Sequence, residues 1–161
     1  MIKVLFVCLG NICRSPLAEA IFKKKAEEAG VQNQFTCDSA GTSDFHIGEL
    51  PDERTIKCAR KYELPLQHRG RQVHRTDFRD FQYVIAMDDS DLRSLNNLKE
   101  RFGFGSKQIF LMRDFAAGSL GLSVPDPYYG AEEEFENIYA ILNESIDGFL
   151  GKVFQTHHLY V

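Results

Sequence analysis

One stretch near the start of the chain constrains the fold more than any other: an apolar run beginning at Ile2 leads through a short loop into a helix start. A mostly apolar run of this length is typical of a strand buried on both faces of a parallel sheet. After the loop, Ser15 is a favourable N-cap, Pro16 suits the first helical position and Gly30 suits the C-cap. These signals predict a strand over residues 2–8 and a helix over residues 15–29.

The loop between this strand and helix has the composition of an oxyanion site. A short loop that feeds a helix N-terminus points backbone N–H groups inward, and the helix dipole adds partial positive charge. Gly10 and Asn11 tolerate the left-handed backbone that such a loop needs. Arg14 can close over a phosphate with two parallel hydrogen bonds. Cys8 would then lie at the floor of a positive pocket that favours its thiolate form, with the Ser15 hydroxyl donating to the sulfur.

A thiolate that faces a bound tetrahedral oxyanion can attack phosphorus, so the loop indicates a phosphate-ester hydrolase that works by covalent catalysis. The alternative is a structural cysteine at a strand end and an arginine in a surface salt bridge. The context favours the first interpretation, because the cysteine and arginine enclose Gly and Asn and are followed by Ser-Pro and a predicted helix.

Residues 7–16, Val-Cys-Leu-Gly-Asn-Ile-Cys-Arg-Ser-Pro, resemble the phosphate-binding loop of the low-molecular-weight protein tyrosine phosphatases. A second segment of the same family, Asp-Pro-Tyr-Tyr-Gly, occupies residues 126–130, and the similarity extends to about residue 153. The resemblance implies hydrolysis of phosphotyrosine and small aryl phosphates through a phosphocysteine on Cys8. Arg14 and the loop N–H groups would bind phosphate. Asp126 would act as general acid and then general base, although a lone Asp-Pro is usually just a turn.

The resemblance also assigns residues around the reacting atoms. Phe45 and Tyr128 would form a slot deep enough for phosphotyrosine and too deep for phosphoserine. Ser39 and His68 would join Asn11 in a supporting hydrogen-bond network, although His68 on its own reads as a surface histidine. The substrate- and phosphate-binding set implied in this way is Leu9, Gly10, Asn11, Ile12, Cys13, Ser15, Phe45 and Tyr128.

The four cysteines, at positions 8, 13, 37 and 58, lack the paired spacing of a zinc site, and a chain of this size does not need disulfides. We interpret Cys37 and Cys58 as buried small apolar residues. Cys13 has either a packing role or the role of a resolving thiol that traps oxidised Cys8 as a disulfide. Free thiols predict a reducing, cytoplasmic location. We expect neither a metal nor a cofactor, since the loop and Arg14 neutralise the phosphate.

Short apolar segments alternate with segments of helical character along the chain, which predicts an α/β fold. The expected arrangement is a single doubly wound domain over residues 1–161, with a four-stranded parallel sheet, helices on both faces and a frayed tail over residues 152–161. Strands are predicted at residues 2–8, 35–39, 83–87 and 108–111. Helices are predicted at residues 15–29, 52–62, 76–81, 89–97 and 132–150.

Ligands of such sheets bind beyond the carboxyl ends of the strands, where Cys8, Ser39 and Asp88 would lie. The acidic run at residues 88–91 suits a helix N-terminus better than a metal site. Net charge is −4 and no long basic block occurs, so we expect neither nucleic-acid nor membrane partners. The expected partner is a phosphotyrosine protein substrate, and the expected oligomeric state is a monomer.

Three other functions compete with this interpretation. Arsenate reductases share a Cys-x5-Arg loop on this architecture, but they need a relay of further cysteines, and residues 59–161 contain none. A non-catalytic phosphate-binding module would have lost Cys8, Arg14 or Asp126. A flavodoxin-like cofactor domain has a phosphate loop rich in Ser and Thr, with no reason to place a cysteine at its floor.

Overall fold

The computed structural model describes residues 1–159, and its centre is a four-stranded, all-parallel sheet in the order β2-β1-β3-β4. The strands are β1 Ile2–Cys8, β2 Phe35–Gly41, β3 Tyr83–Ala86 and β4 Ile109–Leu111. The helices are α1 Arg14–Glu28, α2 Glu53–Lys61, α3 Asp77–Asp80, α4 Asp89–Arg101 and α5 Glu132–His157. Two short 3₁₀ helices, Gln32–Gln34 and Met112–Phe115, precede β2 and follow β4.

Strand β1 lies in the middle of the sheet and is buried on both faces, as its apolar run predicted. Alternate side chains enter two separate cores. Val4 and Phe6 pack with helices α1 and α5, whereas Leu5 and Val7 pack with Phe78 of α3 and with helix α4 on the other face. The predicted doubly wound α/β sheet with helices on both faces is therefore confirmed.

The start of helix α1 differs from the prediction. The helix begins at Arg14, and its N-cap is Cys13, which makes no side-chain capping bond. Ser15, expected as the cap, is already inside the helix, and its hydroxyl contacts the Cys8 sulfur at 3.0 Å. The residue that sequence rules assign to helix capping is thus used by the site instead.

Helix α4 is longer than predicted, because it continues to Arg101 and ends just before Gly103, which has φ of 85°. The predicted end at residue 97 is therefore wrong. The additional turn places Leu98 against the core formed with α3, and this apolar contact explains why the helix continues.

Helix α5 also continues beyond its predicted end, so the expected fraying of residues 152–161 is wrong for residues 152–157. Val153 is fully buried, and His157 Nε2 lies 2.8 Å from the Tyr83 hydroxyl. Gly148 does not weaken the helix but permits close packing, since a Cβ there would lie 1.9 Å from the carbonyl oxygen of Phe115. Residues 160–161 lie outside the described part of the chain. No helix within residues 1–159 is both long and apolar enough to cross a membrane.

Candidate active site

The backbone of the loop that joins β1 to α1, residues 8–14, is held with its carbonyl groups pointing away from the enclosed space. The Cys8 carbonyl accepts from Thr42 N at 2.9 Å, and the Leu9 carbonyl accepts from Ser43 N at 3.0 Å. The Ile12 carbonyl accepts from the backbone N–H of residue 52 at 2.9 Å. With these carbonyls tied to neighbouring segments, the loop N–H groups and the start of α1 are left to an anion.

Gly41, at the end of β2, permits the loop to lie against this strand. A Cβ at this position would be 2.8 Å from the Leu9 carbonyl oxygen and 3.3 Å from Asn11 N. Both atoms belong to the loop backbone, so a side chain here would push the loop away from the sheet. The sequence contains no signal for this requirement, because it arises only when β2 pairs with β1.

Asn11 holds the sharpest bend of the loop, with φ of 57°. A non-glycine residue in this left-handed region is strained and needs partners that hold it in place. Its Nδ2 donates to Ser15 Oγ at 2.8 Å and to Ser39 Oγ at 3.0 Å. Its Oδ1 accepts from Arg71 N at 3.0 Å and pairs with His68 Nε2 at 2.7 Å. All four partners come from outside the bend, and together they fix its conformation.

Cys8 is buried at the floor of the loop, and its sulfur is surrounded by donors. The Ser15 hydroxyl lies 3.0 Å from Sγ, and Asn11 N donates to Sγ at 3.3 Å. Because Ser15 Oγ already accepts from Asn11 Nδ2, its own hydrogen is available to the sulfur. The sulfur therefore faces two hydrogen-bond donors and the N-terminus of α1, which are the partners that a negatively charged sulfur needs.

Arg14 is buried beneath the far side of the loop with only 2% of its surface exposed. Its Nη1 donates to Asp88 Oδ2 at 2.7 Å and to the Val124 carbonyl at 2.9 Å. On the other nitrogen, Nη2 lies 3.9 Å from Asp91 Oδ2 and 3.7 Å from Asp126 Oδ2. One edge of the guanidinium is thus fixed by hydrogen bonds, and the other remains for a phosphate.

The charges around Arg14 shift its own pKa and that of its closest partner. Burial alone would lower the pKa of the guanidinium. The negative charges of Cys8, Asp88 and Asp91 and the hydrogen bond to Asp88 have a larger effect, so the pKa is raised above its usual value. Burial alone would raise the pKa of Asp88, but hydrogen bonds from Arg14 and from the Asp91 N–H hold it below its usual value. This pair is therefore ionised throughout the neutral range.

Asp126 reaches the rim of the cleft from the long connection between β4 and α5. Its side chain is 44% exposed, and its Oδ1 accepts from Tyr128 N at 3.1 Å, so the residue closes a turn as well as facing Arg14. This turn leaves Oδ2 directed toward the loop and accessible to a substrate in the cleft.

Arg54, which the sequence analysis missed, ties the 126–130 segment to helix α2. It donates to the carbonyls of Tyr128 and Gly130, each at 2.8 Å, and to both carboxylate oxygens of Asp52. Its guanidinium also lies 4.7 Å from the Phe135 ring centre. An Asp-x-Arg at a helix start is a weak sequence signal, because the carbonyls of the 126–130 segment that Arg54 binds lie more than 70 residues away in the chain.

The cleft above Cys8 has a volume of about 350 Å³ and mostly apolar walls. Leu9 and Ile12 line it from the loop, and Phe45 and Tyr128 line it from two other segments, 69% and 39% exposed. The His46 ring lies 6.4 Å from the Tyr128 ring. A flat ring that carries a phosphate therefore fits the shape and polarity of this opening.

Three groups beside the loop could hold a metal ion: within residues 1–159, ligand atoms of Glu19, Asp38 and His68 lie within 4.8 Å of one another. Their oxygens already have partners. Glu19 accepts from Ser39 Oγ and Lys23 Nζ, and both Asp38 oxygens accept hydrogen bonds from protein N–H groups. Burial lowers the pKa of His68, against the opposing effect of the two carboxylates. Hydrogen bonding thus accounts for this cluster.

The structure brings the predicted residues to one place. Those that line the cleft are Cys8, Leu9, Gly10, Ile12, Cys13, Arg14, Phe45, Asp126 and Tyr128. Behind the loop lie Asn11, Ser15, Ser39 and His68. Their roles in catalysis and binding remain predictions. Cys58 is buried as expected, but Cys37 is only half-buried, because β2 is an edge strand.

Comparison with known proteins gives a consistent result. The family model described as low molecular weight phosphotyrosine protein phosphatase matches residues 3–158. The protein of that name from Schizosaccharomyces pombe is 41% identical over 154 residues, which cover 94% of this chain and 97% of the relative.

Solved structures agree with the sequence comparison. The protein tyrosine phosphatase of Entamoeba histolytica, with Hepes in the active site, superimposes with a TM-score of 0.89 at 37% identity, covering 98% of this chain and 99% of that one. DARP, a drosophila arginine phosphatase, superimposes with a TM-score of 0.89 at 32% identity, covering 94% and 98%.

Proposed function

The chain belongs to the low molecular weight phosphotyrosine protein phosphatase family, and from this premise we propose that it hydrolyses phosphotyrosine through a phosphocysteine on Cys8. The observation that carries the proposal is the position of Cys8, buried at the floor of an aromatic cleft, with Arg14 and Asp126 lining the same cleft. The enzyme needs no cofactor for this reaction, because the nucleophile, the anion site and the proton donor are all side chains and backbone groups of the chain.

In the first step the Cys8 thiolate attacks phosphorus, and the bond from phosphorus to the phenolic oxygen breaks. Loop N–H groups and the available edge of Arg14 bind the non-bridging oxygens and stabilise the charge that develops there. Asp126 delivers a proton to the departing oxygen. The proton is needed because a phenol with a pKa of about 10 leaves poorly as an anion.

In the second step a water molecule attacks the phosphorus of phosphocysteine and the P–S bond breaks. Asp126, now ionised, takes a proton from this water, which follows from its role as acid in the first step. Inorganic phosphate is released and Cys8 returns to the thiolate form. The Ser15 hydroxyl and Asn11 N stabilise the departing sulfur, since they already lie 3.0 Å and 3.3 Å from it.

The walls of the cleft support an aryl ester as substrate. Since one structural neighbour is an arginine phosphatase, the choice of leaving group must come from residues above the phosphate rather than from the loop fold. Here Ile12, Phe45 and Tyr128 present apolar surface, which suits a phenyl ring better than a charged guanidinium. Asp126 is the carboxyl group of the lining, and its proposed role is proton transfer to the leaving oxygen. A phosphotyrosyl segment of a protein is therefore the proposed substrate.

Steady-state kinetics on four substrates test this assignment. We expect kcat/KM for phosphotyrosine peptides to exceed that for phosphoserine and phosphoarginine peptides by at least about 100-fold, because a short or charged leaving group forfeits the aromatic contacts. Reduction of arsenate should not occur. A preference for phosphoarginine, or thiol-dependent arsenate reduction, would contradict the proposal.

We further propose that the enzyme works as a monomer in a reducing cytoplasm. The observation that supports the location is that all four cysteines are free thiols. The Cys8 thiolate of the proposed mechanism would be lost to oxidation outside such a compartment. Light scattering at micromolar concentration tests the oligomeric state.

Oxidation provides a prediction about Cys13. Peroxide should convert the Cys8 thiolate to a sulfenic acid, and Cys13 should then displace water to form a Cys8–Cys13 disulfide that dithiothreitol reopens. Burial, aided by the charges of Asp52 and Cys8, raises the pKa of Cys13 to about 12. The Cys13 thiolate is therefore scarce at neutral pH. As long as the pH stays below this pKa, each increase of one pH unit should raise the rate of disulfide formation about tenfold.

Peptide mapping after peroxide treatment at two pH values measures this competition. We expect the disulfide to dominate at the higher pH and the Cys8 sulfinic acid to increase at the lower one. Sulfinic acid at Cys8 with reduced Cys13 at both pH values would show that Cys13 only packs beneath the loop.

A further inference from the structure

Three carboxyl groups lie near the Arg14 guanidinium, one at Nη1 and two at Nη2. Asp88 is hydrogen-bonded to it, while Asp91 and Asp126 lie 3.9 Å and 3.7 Å from Nη2. Asp126 is at the solvent rim and has the proposed role in proton transfer. Asp88 caps helix α4 and fixes the guanidinium. Asp91 has no such assignment, although it is the most buried of the three carboxyl groups.

The environment of Asp91 does not suit a carboxylate anion. Only 2% of the residue is exposed, and its Oδ2, the atom that faces Arg14, has no hydrogen-bond partner within residues 1–159. Burying an ionised carboxylate with an oxygen that has no hydrogen-bond partner costs much more folding free energy than burying a neutral carboxyl group. Burial raises the pKa of Asp91 to about 8; Arg14 opposes this shift, and the neighbouring Asp88 adds to it. Of the two neighbouring acids, Asp91 is the one that holds a proton.

We propose that Asp91 is a positioning residue for oxyanion binding: its carboxyl group must be protonated for Arg14 to bind a phosphate dianion fully, and its ionisation withdraws Arg14 from the substrate. This inference rests on the proposed function, because it concerns the anion site of that reaction. It adds a group that does not touch the substrate but acts through Arg14.

The direction of the coupling follows from the charges that face Asp91. They are Arg14 on helix α1, Asp88 at the N-cap of its own helix, and Asp126 on the rim segment. A dianion bound to Arg14 adds negative charge beyond the guanidinium, which disfavours an ionised Asp91. Binding must therefore raise the proton affinity of Asp91. By linkage, anion affinity is independent of pH where Asp91 is already protonated and falls as the pH rises through its pKa.

The experiment uses the Cys8→Ser enzyme, which has no thiol at the floor of the site, and sulfate, which remains a dianion from pH 6 to 9.5. Titration calorimetry should give a Kd that is constant near pH 6 to 7 and rises about tenfold by pH 9.5, a change typical of one coupled ionisation. Adding Asp91→Asn, which has nearly the same shape but no charge, should reduce that rise to less than about twofold.

Asp89→Asn is the matched control, because it removes the same charge from an exposed position on the same helix. It should leave the tenfold pH dependence intact. If both substitutions flatten the profile equally, the effect is one of net charge, and the role of Asp91 is disproved.

A second measurement needs no substitution at Asp91. Sulfate binding in buffers of different ionisation enthalpy should show uptake of about half a proton between about pH 8 and 9, and almost none near pH 6. Absence of proton uptake would overturn the inference even if the Asp91→Asn protein failed to fold.

Failure of sulfate to bind at any pH, or equal binding by the Arg14→Lys protein, would instead contradict the proposed anion site. Tight binding that requires Arg14 and is independent of pH would contradict only the role of Asp91.

Discussion

Replacing Cys8 with serine is expected to lower phosphotyrosine turnover by more than about 100-fold while leaving the binding of inorganic phosphate intact. The loop N–H groups, Arg14 and the start of helix α1 all remain, so the anion site persists. The proposed nucleophile is lost, because a serine hydroxyl is not ionised at neutral pH. Within residues 1–159 the hydrogen-bond partners of Cys8 are Ser15 Oγ and Asn11 N, and neither is a base that could deprotonate a hydroxyl at position 8.

Steady-state assays and phosphate titration calorimetry on the same preparation separate the two effects. Cys58→Ser is a suitable control, because Cys58 is a buried free thiol away from the loop whose Sγ faces the Phe135 carbonyl at 3.9 Å. A hydroxyl there could donate to that oxygen, so activity should be retained. Residual turnover above about one per cent in the Cys8→Ser protein would show that another group attacks phosphorus.

Local sequence was sufficient for the strand and loop that carry the proposed nucleophile. The apolar run from Ile2, the Gly-Asn pair and the following Ser-Pro each act over a few residues, so strand β1 and the site at its carboxyl end follow from nearby signals. The carboxyl ends of parallel strands meet at one edge, which is why Ser39 could also be placed near the loop.

Helix ends were predicted less well, because contacts distant in sequence decide them. Glycine weakens an isolated helix, yet Gly148 lies within α5 because the Phe115 backbone packs where its side chain would be. The burial of Val153 then extends the helix beyond the predicted end. Neither contact has a signal in the nearby sequence.

The same reasoning explains why the electrostatics of the site could not be predicted. An acidic run at a helix start is normally solvated, and Asp89 follows that rule. Asp91 does not, because it is buried beside the Arg14 guanidinium, which helix α1 supplies and the Val124 carbonyl helps to hold. His68 reads as a surface residue on its own, but its side chain is only 7% exposed and pairs with Asn11. Burial of this kind appears only when separate segments assemble.

Replacing Asp126 with asparagine should slow the release of a poor leaving group much more than that of a good one. General acid catalysis commonly contributes about 10²- to 10⁴-fold, so kcat/KM for phosphotyrosine should fall within that range. A nitrophenyl ester releases a far better anion, and its kcat/KM should fall less than about tenfold. Asparagine keeps an oxygen that can accept from Tyr128 N, so the turn that places residue 126 at the rim should survive.

Pre-steady-state bursts with both esters measure phosphocysteine formation separately from its hydrolysis. In the variant, the burst should disappear for phosphotyrosine, because formation becomes the slow step, and persist for the nitrophenyl ester. Asp114→Asn is the control, since Asp114 is exposed on the same connection and accepts from Gly121 N rather than facing the cleft. Equal slowing of both esters would mean that Asp126 holds the 126–130 segment in place and that another group, or none, protonates the leaving oxygen.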